Sequence, residues 1–137
     1  MTTGAILGMD FGGRRIGLAR CDPTRTLVSP VGIFRRREHS KDRDRIGEII
    51  DEHEVELIVV GLPLNMDGTE GEQVCTVRSD VLALLSGRKE QIIFWDERLT
   101  TFEAGRRALD RRRGDDAVAA AVLLEDFLAT SKESQCE

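Results

Sequence analysis

The chain has little of what several protein classes depend on. Lysine occurs three times in 137 residues, tyrosine not at all, and aromatic residues make up only 4%. So thin an aromatic content argues against a base-stacking platform for single strands. Cys21, Cys75 and Cys136 are odd in number and lack metal-ligand spacing. They read as free thiols of a cytoplasmic protein, not as a disulfide framework. No apolar run approaches the roughly 20 residues needed to cross a bilayer. The first residues also lack the charged-then-apolar pattern of a secretory signal. What remains is an ordinary globular composition, 40% hydrophobic and 33% charged. The expectation is one domain over residues 1–130, a disordered tail over 131–137, and no membrane partner.

The formal net charge is −5, which by itself disfavours a polyanionic partner. Its distribution does the opposite. Residues 1–37 hold seven arginines against Asp10 and Asp22, and residues 98–113 hold six against Glu103 and Asp110. The acids gather between. Local basic patches steer a polyanion, whatever the total. Since 17 of the 20 basic residues are arginine, the cationic surface suits bidentate phosphate contacts.

One stretch organises the rest. Ile6-Leu7-Gly8-Met9 climbs to a lone carboxylate, Asp10, and Gly12-Gly13-Arg14-Arg15 follows before Ile16-Gly17-Leu18-Ala19 resumes an apolar run. The pattern predicts two strands joined by a glycine turn. An aspartate inside a strand is costly to bury alone, so an arginine, backbone N–H groups or a metal ion should hold it. The plain alternative is an aspartate capping the turn. Gly12 allows a phosphate to approach the backbone closely.

Leu27–Phe34 predicts a third strand, followed by the basic Arg35-Arg36-Arg37. A helix should start at Ser40 or Asp42, with Ile46, Ile49, Ile50 and His53 along one stripe. Leu57–Leu62 is continuously apolar, as a central parallel strand would be. A helix then follows a capping box at Thr69 and Glu72, with Val74, Val77, Val81, Leu82 and Leu85 inward. Ile92–Trp95 predicts another buried strand. Asp96, Glu97 and Arg98 stand at its end, where ligands of open α/β sheets collect. A second capping box, Thr100 and Glu103, and the basic Arg111-Arg112-Arg113 precede a last helix. On it Asp116, Ala120, Leu123 and Phe127 share a stripe. The fold class is therefore α/β: a five-stranded mixed sheet, three antiparallel strands then two parallel, flanked by helices.

Four motifs now carry a resemblance. They are Asp10-x-Gly12-x-x-Arg15-Ile16-Gly17, the Val60–Gly71 segment, Trp95-Asp96-Glu97-Arg98-Leu99-Thr100-Thr101, and Asp116-Ala117 with the aliphatics to Leu124. In order and content they resemble the YqgF/RuvX family, ribonuclease H-like proteins regarded as Holliday junction resolvases and as nucleases of the pre-16S ribosomal RNA 5′ end. The resemblance implies a ribonuclease H-like fold and catalytic, metal-binding acids at Asp10, Glu97 and Asp116. Clustered carboxylates repel unless cations share them, and oxygen ligands suit Mg²⁺ or Mn²⁺. Gly12, Arg14, Arg15, Arg35, Arg36, Arg37, Arg98, Arg111, Arg112 and Arg113 are the candidate nucleic-acid contacts. Asp67 is a further candidate for the site, while Asp96 should point to the other face. Asp115 departs from the family pattern, where an aliphatic residue is usual.

The function expected is a metal-dependent nuclease, a hydrolase acting in 5′-end processing of pre-16S rRNA during ribosome biogenesis. The alternatives are a Holliday junction resolvase acting on branched DNA and a non-catalytic RNA-binding ribosome-assembly module. The expected partners are structured RNA or branched DNA and pre-ribosomal particles, bound by a monomer or homodimer.

Overall fold

A computed structural model of the protein describes residues 4–12, 14–62, 72–96 and 116–135. Eight elements lie among them: β1 (Ala5–Gly12), β2 (Arg15–Cys21), β3 (Val28–Arg35), α1 (His39–Glu52), β4 (Val55–Leu62), α2 (Glu72–Leu84), β5 (Gln91–Asp96) and α3 (Asp116–Gln135). The strands form one sheet in the order β3-β2-β1-β4-β5. β1 runs antiparallel to β2, and β2 to β3, while β4 is parallel to both β1 and β5. This is the expected mixed sheet. The C-terminal ends of β1, β4, β5 and β3 and the start of β2 therefore share one end.

Alternation along β1 divides the core. Leu7, Met9 and Phe11 face one side, where Ile46 and Ile50 of α1 and Val77, Val81, Leu84 and Leu85 pack. Arginines roof three aromatic rings of that cluster: Arg36 over Phe11, Arg45 over Phe34 and Arg78 over Phe94, with centroid distances of 4.8–5.8 Å. Ile6 faces the other side, against Ala120, Ala121, Leu123, Leu124 and Phe127 of α3. Gly8 is required there. A Cβ on it would lie 2.6 Å from Leu124 Cγ and 3.1 Å from the Ala120 carbonyl oxygen. The missing side chain lets α3 sit directly on the central strand.

Several expectations need correction. β5 is the outer strand of the described sheet, so Ile92, Ile93, Phe94 and Trp95 are only half-buried. Leu82 points to solvent, 59% exposed, and Leu84 takes its inward place. α1 begins at His39, not at Ser40 or Asp42. Asp42 is buried in its first turn and accepts the Arg37 N–H at 2.9 and 3.2 Å. His53 is the C-cap of that helix. α3 continues to Gln135, past the 130 boundary beyond which a tail was expected, because Ser131 to Gln135 contains no glycine or proline to stop a helix. Both capping boxes begin outside the described residues.

β3 is the other outer strand, and it is irregular. Pro30 stands opposite Ala19, the register shifts between Leu18 and Ala19, and Gly32 has φ +151°, a backbone conformation open to glycine. Val31 and Ile33 are exposed along it, as is Leu27 just before it.

Candidate active site and nucleic-acid interface

Asp10 is the penultimate pleat position on its face of β1, 8% exposed. Its partner on β2 is Gly17, and Gly17 in turn pairs with Ile33 of β3. On the other side the register Met9–Val60 sets Asp10 level with Gly61, which pairs with Trp95 of β5. The row across the sheet therefore reads Ile33, Gly17, Asp10, Gly61, Trp95. Glycines flank the carboxylate on both neighbouring strands, so those two positions place no side chain beside it. That room is what an oxygen ligand to a hydrated cation needs.

The same face carries α3. Ala120 lies over Gly8, one pleat repeat before Asp10. Asp116 is the first residue of α3 and precedes Ala120 by one helical turn, about 6 Å along the axis. β5 ends at Asp96, opposite Leu62. Glu97 is the next residue in the chain and lies outside the described residues, as do Asp67, Arg98 and Arg111 to Arg113. Among the described residues no group of three histidine, cysteine or acidic side chains is placed to hold a metal.

Five of the candidate arginines do come together. Arg14, Arg15, Arg35, Arg36 and Arg37 line an open groove of about 380 Å³ at this end of the sheet. Register explains it. Gly12 pairs with Arg15, and Arg15 with Arg35, so both arginines share the face of Asp10. The pairing concentrates positive charge at this end of the sheet. Arg36, one residue on, points to the other face, where it meets Asp80 of α2 at 2.9 Å. Its N–H donates to the Arg14 carbonyl at 2.8 Å, closing the groove floor. The groove thus wraps around the end of the sheet beside Asp10.

Sequence reasoning missed Asp126. It is 2% exposed and accepts a hydrogen bond from Trp95 Nε1 at 2.9 Å. The Trp95 ring also meets Phe127 edge-on, with centroids 5.3 Å apart. The helical spacing of Asp126 placed it near the polar side of α3, and only the tertiary contact brings it inside. Cys21 is buried on the α3 face, and burial pushes its thiol up. That keeps it neutral and unreactive.

Comparison with known proteins bears on the family and the fold. A protein 39% identical over 137 residues, from Rhodospirillum centenum, aligns with 91% of this chain and 73% of its own length. Relatives from Thermoanaerobacter pseudethanolicus (38% identical, covering 93% of this chain and 97% of theirs) and Roseiflexus sp. strain RS-1 (40%, covering 94% and 96%) match nearly end to end. All three are provisionally named pre-16S rRNA nucleases. Among solved structures, T. thermophilus RuvC in complex with a Holliday junction substrate superposes with a TM-score of 0.62 at 10% identity, covering 94% of this chain and 96% of that one. The fowlpox virus Holliday junction resolvase gives 0.55 at 10% identity, covering 92% and 99%. At such identities the likeness is one of fold, and that fold is ribonuclease H-like. No helix among the described residues is long and apolar enough to cross a membrane. The model of the RuvX family, described as Holliday junction resolvase, matches residues 4–130, and the chain belongs to that family.

Proposed function

We propose that the protein is a metal-dependent nuclease that hydrolyses phosphodiester bonds in structured RNA, with the 5′ end of pre-16S rRNA as its substrate. The observation that carries this is the pairing, at one end of the sheet, of a carboxylate flanked by glycines with a five-arginine groove. The provisional name of the relatives selects the RNA. The RuvC likeness keeps branched DNA as the second reading.

Asp10, Glu97 and Asp116 are the residues to hold Mg²⁺ or Mn²⁺. Their donor set is all oxygen, as both ions prefer, and the Gly17 and Gly61 positions leave room for it. Bound there, the ions supply an activated water and charge neutralisation at the leaving oxygen. The protein's own residues do the rest. Arg15 and Arg35 hold a backbone phosphate on the face of Asp10, and Arg14 and Arg37 hold neighbouring ones. Gly12 lets the strand approach. Arg98 and Arg111 to Arg113 extend this contact from the segment leading to Asp116. With no aromatic residue among the described residues lining the groove, the protein reads backbone shape more than sequence.

The test is cleavage of a pre-16S 5′-end transcript and of a four-way DNA junction, with Mg²⁺ or Mn²⁺, by the wild type and by Asp10→Asn. The transcript should be cut at defined positions by the wild type only, while Asp10→Asn still binds it. Cleavage retained by Asp10→Asn sinks the catalytic assignment. Cleavage of the junction alone transfers the function to branched DNA. Metal-independent RNA binding with no cleavage of either would make the protein an assembly module.

A further inference from the structure

The face that α3 lays on the sheet is rich in small side chains. Ala117, Ala119, Ala120 and Ala121 are all buried, and the strand beneath offers Gly8. Leu123, Leu124 and Phe127 fill the rest of it. A directional contact joins the helix to β5. Trp95, the only tryptophan of the chain, donates from Nε1 to Asp126 Oδ2 at 2.9 Å, and Asp126 is almost wholly buried. A carboxylate is expensive to bury, and an apolar side chain would fill the same space at less cost. Trp95 also belongs to the row that contains Asp10, two strands away, or about 10 Å.

We infer that the Trp95–Asp126 hydrogen bond is a positioning latch. It fixes the register of α3 on the sheet and thereby holds Asp116 at its place relative to Asp10. α3 is then pinned at two points, by Gly8 over β1 and by Trp95 from β5. Neither latch residue touches metal or substrate. The inference rests on the metal-nuclease reading above.

Calorimetric titration of the full chain with Mn²⁺ alone tests it, with thermal unfolding recorded in parallel. Trp95→Phe keeps a ring against Phe127 and removes the donor. Asp126→Leu removes the acceptor and fills the space. Both should weaken Mn²⁺ binding about 10-fold, as loss of an outer-shell partner does. Asp126→Asn keeps an oxygen acceptor and should bind Mn²⁺ nearly as the wild type does. A merely structural bond would lower the melting temperature and leave Mn²⁺ affinity alone, which overturns the latch. An Asp126→Asn variant as weak as Asp126→Leu also overturns it, because charge and not the hydrogen bond would then matter. Should Asp126→Leu fail to fold, Trp95→Phe decides alone. Asp10→Asn is the control. Wild-type Mn²⁺ binding that Asp10→Asn does not abolish removes the metal reading itself, and the latch falls with it.

Discussion

The two ends of the sheet use the same residue types for opposite purposes. At the end where β1 and β4 begin, Arg25 donates to the Gly4 carbonyl at 2.8 Å and faces Glu56 at 3.8 Å, while Glu56 accepts the Gly4 N–H at 2.8 Å. Asp22 beside it is gripped by the Thr24 hydroxyl and by the N–H groups of Thr26 and Leu27. There, arginine and aspartate are cross-links. At the other end Arg15 stands opposite Arg35, five arginines share a groove, and Asp10 sits between glycines. The first arrangement joins the start of β1 to β4 and to the loop after β2. The second concentrates positive charge that a polyanion can neutralise.

Exchanging single residues at the two ends should break this symmetry of composition. The largest effect is expected at the aspartates. Asp10→Asn should cut cleavage by roughly 10²-fold or more, the scale of losing one charge-stabilising group, with no fall in melting temperature. Asp22→Asn should leave the cleavage rate at the wild-type value. Equal losses from both would mean that Asp10 is structural. Next come the arginines. Replacing Arg14, Arg35 and Arg37 together by alanine should flatten the salt dependence of nucleic-acid affinity by roughly two to three in slope, at about 0.9 per lost phosphate contact. Affinity for one hairpin measured at several salt concentrations gives the answer, and an unchanged slope would assign the groove to solvated surface. Arg25→Ala should do the reverse, lowering stability by about 1 kcal/mol through its lost hydrogen bond and leaving the slope untouched.

The smallest effect concerns acid. The Thr24 hydroxyl, then the Leu27 and Thr26 N–H groups, favour the charged Asp22 carboxylate and hold its pKa well below the ordinary 3.8. A depressed folded-state pKa stabilises the fold above the unfolded value and loses that contribution as pH falls through the folded one. Melting temperatures of wild type and Asp22→Asn should therefore differ most above pH 4 and converge in stronger acid. A gap that widens on acidification would contradict the assignment.

Much of this was legible in the sequence. The apolar run of β4 announced a central strand, and the Gly-rich turn after Asp10 announced the hairpin, because both signals are local. The arginines were visible as residues but not as a groove. Arg15 and Arg35 are twenty positions apart, and only the strand register sets them face to face. Leu84, three residues past Val81 and seven past Val77, fits the helical stripe better than Leu82, and Leu84 is the one that is buried. β5 looked as buried as β4 by composition, yet its place at the sheet edge leaves it half-covered. Asp126 gave no local signal, since its partner lies 31 residues earlier.

The broken course of β3 bears on crowding. Val31 and Ile33 on an outer strand would be an inviting seam for a neighbouring copy, but Pro30 lacks an N–H and the register shift bends the ladder. The kinked strand therefore discourages edge-to-edge pairing of two copies. Pro30→Val with Gly32→Val should straighten it, and light scattering in the presence of RNA should then rise with time, whereas the wild type stays clear.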